Sequence, residues 1–289
     1  MEIVGIESLE LTSEIRSVLA WQLEMGASEA LADDPLDWST FGAARSKVVK
    51  VLEDAGGLTT KEVLSDAGSV SNAGVVSSPN VTVSPPPSEA ISCAKSLADA
   101  AKTLEDLKSA VTNFKELAIC QTATKTVFGD GNSQADIMLI GEAPGASEDR
   151  EGIPFCGESG RLLDKALACI GLNREDNVYI SNSLFWRPPG NRRPTPEELQ
   201  VCKPFVEKHI KLINPKLLIL SGGTAAQQLL DAKVGITKLR GKEQQYKNQE
   251  LGMNIPAFAV YHPSYLLRTP AAKRQFWQDL LTIQEKMKE

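Results

Sequence analysis

Residues 135–157 read ADIMLIGEAPGASEDREGIPFCG. A short apolar run, Ile137 to Ile140, ends at Gly141-Glu142-Ala143-Pro144-Gly145, and acidic residues and the pair Pro154-Phe155 follow. A buried strand that ends in a glycine-proline-glycine loop brings bare backbone N–H groups up to a ligand, because glycine lacks the Cβ that would block the approach. The functional reading is a ligand loop at the carboxyl end of a parallel strand. An ordinary strand-to-loop connection is the alternative, and the flanking segments must decide between them.

From Thr122 onward strand and helix signals alternate, the pattern of an α/β fold with a parallel sheet. Three more apolar runs follow the first: NVYISN from Asn177, KLLILSG from Lys216 and IPAFAVYHP from Ile255. Helices are predicted over about 159–171, 196–213, 224–231 and 271–288. Thr195, Pro196 and Glu198 supply a capping signature for the second of these. The expected architecture is a three-layer α/β/α domain around a central four-stranded parallel sheet. The carboxyl ends of the four runs carry Glu142, Asn182, Ser221-Gly222-Gly223-Thr224 and Tyr261-His262-Pro263-Ser264. Ligands of open α/β sheets bind at those ends, and a glycine-rich helix start can hold a phosphate.

Upstream the character changes. Residues 1–54 form an acidic segment with a helical pattern at Leu9, Ile15, Leu19 and Leu23 and with Trp21 and Trp38 beside LADDPLDW. Residues 55–90 are rich in Gly, Ser, Val and Pro without an aromatic residue, so they read as a flexible, disordered linker. A long helix from Ile91 to about Ala118 then leads into the compact part, giving a domain over 91–289 with its core at 120–285. The acidic segment could dock on a protein partner or pack as a small helix on its own domain.

The 289 residues, 42% apolar and 24% charged, fit a soluble globular protein. No run nears the length of a membrane span, and the acidic N-terminus lacks the pattern of a secretory signal. Five cysteines at 93, 120, 156, 169 and 202 include no C-x-x-C, which points to reduced thiols in a cytoplasm. Net charge is −9 over residues 1–112 and +3 over residues 113–289, so nucleic acid is compatible with the overall −6.

GEAPGASED, GIPFCG, YISN, RPPGNRRPTPEE and YHPSYLLR, in this order over about residues 120–285, resemble the uracil-DNA glycosylase superfamily, and within it the family 4 branch. The resemblance implies a DNA repair enzyme that flips uracil out of the base stack and hydrolyses its glycosidic bond, leaving an abasic site for base excision repair. It implies that Phe155 stacks on the flipped base and that the Asn182 amide reads its edge. His262 would stabilise the departing uracil anion, and Gly141 and Ala143 belong to the loop that meets the base and the attacking water. The loop's third residue is the water-activating aspartate in the best-studied branch; here it is Ala143, so Glu142 is the expected water-positioning residue, with Glu148 second. Leu266, Leu267 and Arg268 would wedge into the vacated stack. Arg187, Arg192, Arg193, Ser221, Gly222, Gly223, Thr224 and Ser264 would contact DNA phosphates.

Family 4 proteins carry a [4Fe-4S] cluster on four cysteines. Cys202 matches one ligand and Cys120 lies near another pair, but Leu117 and Ala123 flank Cys120 at the pair's spacing and Trp186 stands at the third ligand position. No cofactor is therefore expected, and Trp186 is expected to fill part of the cluster's space. The expected setting is a monomer in the cytoplasm, on the nucleoid, with uracil-containing DNA as partner and the acidic segment available to a replication or repair protein. A protein that binds uracil or abasic DNA without turnover is the alternative. Covalent capture is disfavoured because Asn191 to Thr195 contain no histidine. A nucleotide-binding domain is disfavoured by the lack of a Walker lysine.

Overall fold

A computed structural model describes residues 86–288. The acidic segment 1–54 and all but the end of the 55–90 stretch lie outside the described residues. The chain becomes helical at Pro87, where a proline at the first helical position needs no N–H partner. The expected long helix is two: α1 (Pro87–Ala100) and α2 (Leu104–Asn113). Ala101 caps the first and Thr103 starts the second, its hydroxyl accepting from the Asp106 N–H while the Asp106 carboxylate accepts from the Thr103 N–H. That reciprocal cap makes a break at Lys102-Thr103 favourable although apolar spacing continues across it.

The sheet is mixed and has six strands rather than four parallel ones. In chain order they are β1 (Asp130–Gly131), β2 (Ile137–Gly141), β3 (Val178–Asn182), β4 (Leu217–Ser221), β5 (Glu243–Asn248) and β6 (Met253–Val260). Their spatial order is β1-β3-β2-β4-β6-β5. The inner four are mutually parallel, and β1 and β5 are antiparallel edges. β1 has two residues, and β5, EQQYKN, buries only Tyr246. Neither carries an apolar alternation, so hydrophobic period cannot reveal them.

β2, β3 and β4 are buried along their whole length. Side chains alternate across a strand, so full burial requires cover on both faces. Met138, Ile140, Leu218, Leu220, Ala257 and Ala259 share one apolar cluster with α1, α2 and α6 (Pro196–Ile213). Ala90, Ala94 and Ala98 form the buried stripe of α1, and their small side chains let it lie close against α6. Ile137, Leu139, Leu217 and Ile219, of the opposite parity, are equally buried. Helices α5 (Glu158–Ala168) and α10 (Lys273–Lys286) bring Leu163, Leu167, Phe276 and Leu280 to full burial as well. Helix α3 (Ala118–Thr122) and α4 (Ala146–Glu151) are short connectors. α7 (Gly223–Leu230) follows β4, α8 (Ile236–Leu239) precedes β5, and α9 (Pro263–Arg268) follows β6. Among the described residues, no helix is long and apolar enough to cross a membrane.

Candidate active site

The carboxyl ends of the inner strands open into one cleft of about 780 Å³. Phe155, Asn182, His262, Glu142 and Ala143 all line it, together with the Gly222-Gly223-Thr224 turn. Side chains from the ends of β2, β3, β4 and β6 therefore meet in one space.

Gly141 ends β2 beside Asn182, its register partner on β3. A Cβ on Gly141 would lie 2.4 Å from Asn182 Oδ1 and 2.6 Å from the Phe155 ring. Only glycine lets the amide and the ring approach this closely. Phe155 has φ of 51°, a left-handed conformation uncommon for an aromatic residue. Its ring is buried and lies 5.5 Å, centroid to centroid, from the His262 ring, tilted by 31°.

Two carboxylates shape the loops around the cleft. Glu148 accepts the Gly145 N–H on Oε2 at 3.0 Å and the Gly157 N–H on Oε1 at 2.9 Å. It thereby fastens the loop after β2 to the loop that carries Phe155. Asp149 accepts the Thr124 N–H at 2.8 Å. An acidic residue beside Arg150 in a polar stretch would ordinarily be a solvated surface charge. Asp149 is instead buried, because one carboxylate serves two otherwise unpaired backbone donors, those of Thr124 and Lys125. Glu142, by contrast, faces the cleft, and its Oε2 accepts the Thr224 hydroxyl at 2.5 Å.

His262 stands between β6 and α9 and caps the helix. Its Nδ1 accepts the Ser264 backbone N–H at 3.2 Å and lies 2.8 Å from the Ser264 hydroxyl. A backbone N–H can only donate, so Nδ1 bears no proton, and the neutral ring carries its proton on Nε2. Burial pushes the His262 pKa below its ordinary value. Glu142 and Glu148 oppose that shift and Arg268 adds to it, so the ring is neutral at pH 7.

The residues expected to contact DNA divide. Gly222, Gly223, Thr224, Ser264, Arg192, Arg193 and Arg268 line the cleft. Arg192 also forms a bidentate pair with Glu198, at 2.9 and 2.6 Å. Arg187 turns to Asn191 Oδ1 at 2.7 Å and lies 4.0 Å from Asp149. Ser221 is buried, and among the described residues its hydroxyl has no hydrogen-bond partner. Leu266 is 0% exposed, a core residue, whereas Leu267 is 37% exposed. Helical spacing explains the difference, since neighbours on one turn point about 100° apart and only one can face the core. Gln227, Ile236 and Thr237 also line the cleft, and sequence reading missed them. They lie on α7 and α8, where no motif marks them.

Cys120 and Cys202 are both buried, with burial raising the Cys120 thiol to about 12 and the Cys202 thiol well above its ordinary value. Trp186, 2% exposed, stacks on Phe114 at 6.0 Å and meets Phe185 edge-on. Its indole N–H donates to Thr126 Oγ1 at 3.2 Å. Phe114 in turn packs edge-on against Phe205. Among the described residues, no group of three or more His, Cys, Asp or Glu side chains could hold a metal ion. A [4Fe-4S] cluster needs four thiolates, and an aromatic wall with two cysteines does not fit one.

The family description "Uracil DNA glycosylase superfamily" matches residues 128–281. A type-4 uracil-DNA glycosylase of Archaeoglobus fulgidus is 37% identical over 188 residues, covering 64% of this chain and 93% of that protein. One from Sulfurisphaera tokodaii is 36% identical over 189 residues, covering 63% and 84%. A third, from Thermotoga maritima, is 44% identical over 146 residues, covering 50% and 73%. With the match running through every strand end that lines the cleft, this chain belongs to the uracil-DNA glycosylase superfamily and is related to its type-4 members.

Proposed function

We propose that the cleft excises uracil from DNA. Water adds at C1′ as the N1–C1′ bond breaks, the electron pair leaves with uracil, the proton that the water gives up balances the charge of the uracil anion, and an abasic site remains for base excision repair. The observation that carries this reading is the joint presence of Phe155, Asn182 and neutral His262 in a single cleft. A base inside a duplex is out of reach, so the nucleotide must be extruded into such a pocket.

In this reading Phe155 stacks on the flipped ring, and the Asn182 amide matches the donor and acceptor pattern of uracil, which cytosine reverses. The His262 Nε2–H points a fixed donor at O2, where negative charge grows as the bond breaks. Glu142, steadied by Thr224, positions the water beside Gly141 and Ala143. Arg193, Arg268, Ser264 and the Gly222-Gly223 turn hold phosphates, with Arg187 and Arg192 adding positive charge nearby. Leu267 fills the gap in the stack, with Leu266 anchoring its helix.

The type-4 family usually carries an iron–sulfur cluster. For this chain the donor set supports its loss, with Trp186 and Phe114 occupying the region and Cys120 and Cys202 remaining as neutral thiols. Purified protein should be colourless and free of iron; a brown preparation with stoichiometric iron and sulfide would reverse this point. The domain would act as a monomer on nucleoid DNA, with residues 1–54 offered to a replication or repair protein through the 55–90 connection.

Ala143, standing where another branch has its aspartate, favours one second reading: a protein that binds uracil-containing DNA without turnover. Incubation with uracil-containing single-stranded and duplex oligonucleotides, followed by alkali, separates the two. Strand scission marks the enzyme, and a shifted band without scission marks the binder.

A further inference from the structure

Arg174 lies in the connection between α5 and β3, outside the lining of the cleft. Its guanidinium uses all five of its N–H donors. Nε donates to Asp164 Oδ1 at 3.1 Å, and Nη2 donates to the same oxygen at 2.7 Å. Nη1 donates to Asp130 Oδ2 at 2.9 Å and to the Pro154 carbonyl at 3.0 Å. The second Nη2 proton goes to the Phe155 carbonyl at 3.0 Å. Two carboxylates thus fix the fork, and the fork grips two successive carbonyls of the turn that presents Phe155.

That turn needs holding. Phe155 sits in the left-handed region, a strained conformation that a non-glycine residue keeps only where the surroundings impose it. From the other side, Gly160 leaves room that no other residue would, since a Cβ there would lie 1.8 Å from the Phe155 carbonyl oxygen. The turn is therefore pressed onto the start of α5 and clamped by Arg174.

We propose that Arg174 is a positioning residue for uracil excision, acting through the backbone of Pro154 and Phe155 to set the plane of the Phe155 ring in the cleft. The inference rests on the proposed excision activity. On this reading lysine cannot replace the arginine, because lysine has three donors on one rotating nitrogen and cannot span two carboxylates and two carbonyls at once.

The test is a double-mutant cycle in the full chain between Arg174→Lys and Phe155→Ala, read as single-turnover uracil release from a duplex oligonucleotide. Arg174→Lys should slow release about 10- to 100-fold, the scale of a misplaced contact group. Affinity for the same duplex without uracil should be unchanged. In the Phe155→Ala background Arg174→Lys should change the rate less than about twofold, because the ring that it positions is gone. Arg174→Gln, which can still reach one carbonyl, should give a loss in the same direction and the same coupling. Rates that multiply independently, or a folded Arg174→Lys protein with wild-type release, would overturn the proposal. So would failure of both variants to fold, which would make the role one of stability alone. A wild-type chain that releases no uracil would instead overturn the underlying assignment, a result distinguishable from any of these.

Discussion

The Thr224 hydroxyl donates to Glu142 Oε2 at 2.5 Å, joining the first turn of α7 to the loop after β2 across the cleft. A carboxylate fixed by a hydroxyl from another element has little freedom to swing away from a water beside it. Thr224→Val keeps the shape and removes the donor, so kcat should fall about tenfold with KM nearly unchanged. Glu142→Gln should cost about 10²- to 10³-fold in kcat if the carboxylate orients and polarises the water. Steady-state kinetics on a duplex uracil substrate would check both, and an unaltered Glu142→Gln enzyme would remove Glu142 from the mechanism.

Gly141→Ala should give a folded protein with little excision. The added methyl would press on Asn182 Oδ1 and on the Phe155 ring together, at 2.4 and 2.6 Å. Displacing contact groups by about 1 Å costs on the order of 100-fold in rate. The measurement is single-turnover release beside a thermal unfolding curve, and a Gly141→Ala enzyme at wild-type speed would refute the crowding argument.

Catalysis by neutral His262 predicts where activity fails in acid. The folded pKa lies below the ordinary value of 6.5, so the ring stays neutral and active as the pH falls through 6.5, and the acid limb of kcat appears below it. Glu142 raises the His262 pKa, so Glu142→Gln should shift that limb further toward acid. A limb at or above pH 7 would contradict the assignment.

His209 predicts a separate acid effect, on stability. It is fully buried between α6 and the sheet, stacked on Phe128 at 4.2 Å, with Nε2 3.0 Å from the Tyr179 hydroxyl. Burial lowers its pKa from 6.5 to about 3. Between those values the unfolded chain binds a proton that the folded chain refuses. Stability is therefore full above pH 6.5 and falls toward pH 3, by about 1.4 kcal/mol per pH unit from this group. Asp279, raised by burial to about 6, acts in the opposite sense between 3.8 and 6, where the folded chain binds the extra proton. His209→Gln should flatten the acid loss in urea titrations above pH 6, where Asp279 offsets least. An unchanged slope there would argue against a buried neutral ring.

Leu266 and Leu267 should separate stability from DNA contact. Leu266→Ala empties a fully buried site and should cost about 2–5 kcal/mol of stability. Leu267→Ala should leave unfolding unchanged and slow release from duplex more than from single-stranded substrate, because only the duplex has a stack to fill. Chemical denaturation and parallel assays on the two substrates would show it, and equal slowing on both would deny Leu267 the wedge role.

The central strands are legible because each packs an apolar run between turn residues, a pattern carried by a handful of neighbours along the chain. The same logic reads α6 from Thr195, Pro196 and Glu198. It fails for β5, a polar edge strand whose pairing with β6 replaces hydrophobic pattern with backbone hydrogen bonds. It fails also at Lys102-Thr103, where a cap outweighs continuing helical period.

By itself the sequence determined the α/β alternation, the order of loops at the strand ends and the family to which those loops point. Only the tertiary structure decided which charges work at a distance. Glu148 as a tie between loops, Asp149 as a buried acceptor, and Arg174 as a clamp on Phe155 all depend on partners 9 to 44 residues away. Local propensity reports what a residue prefers among its neighbours in the chain, whereas a hydrogen bond to a distant carbonyl exists only once the fold has brought the two together.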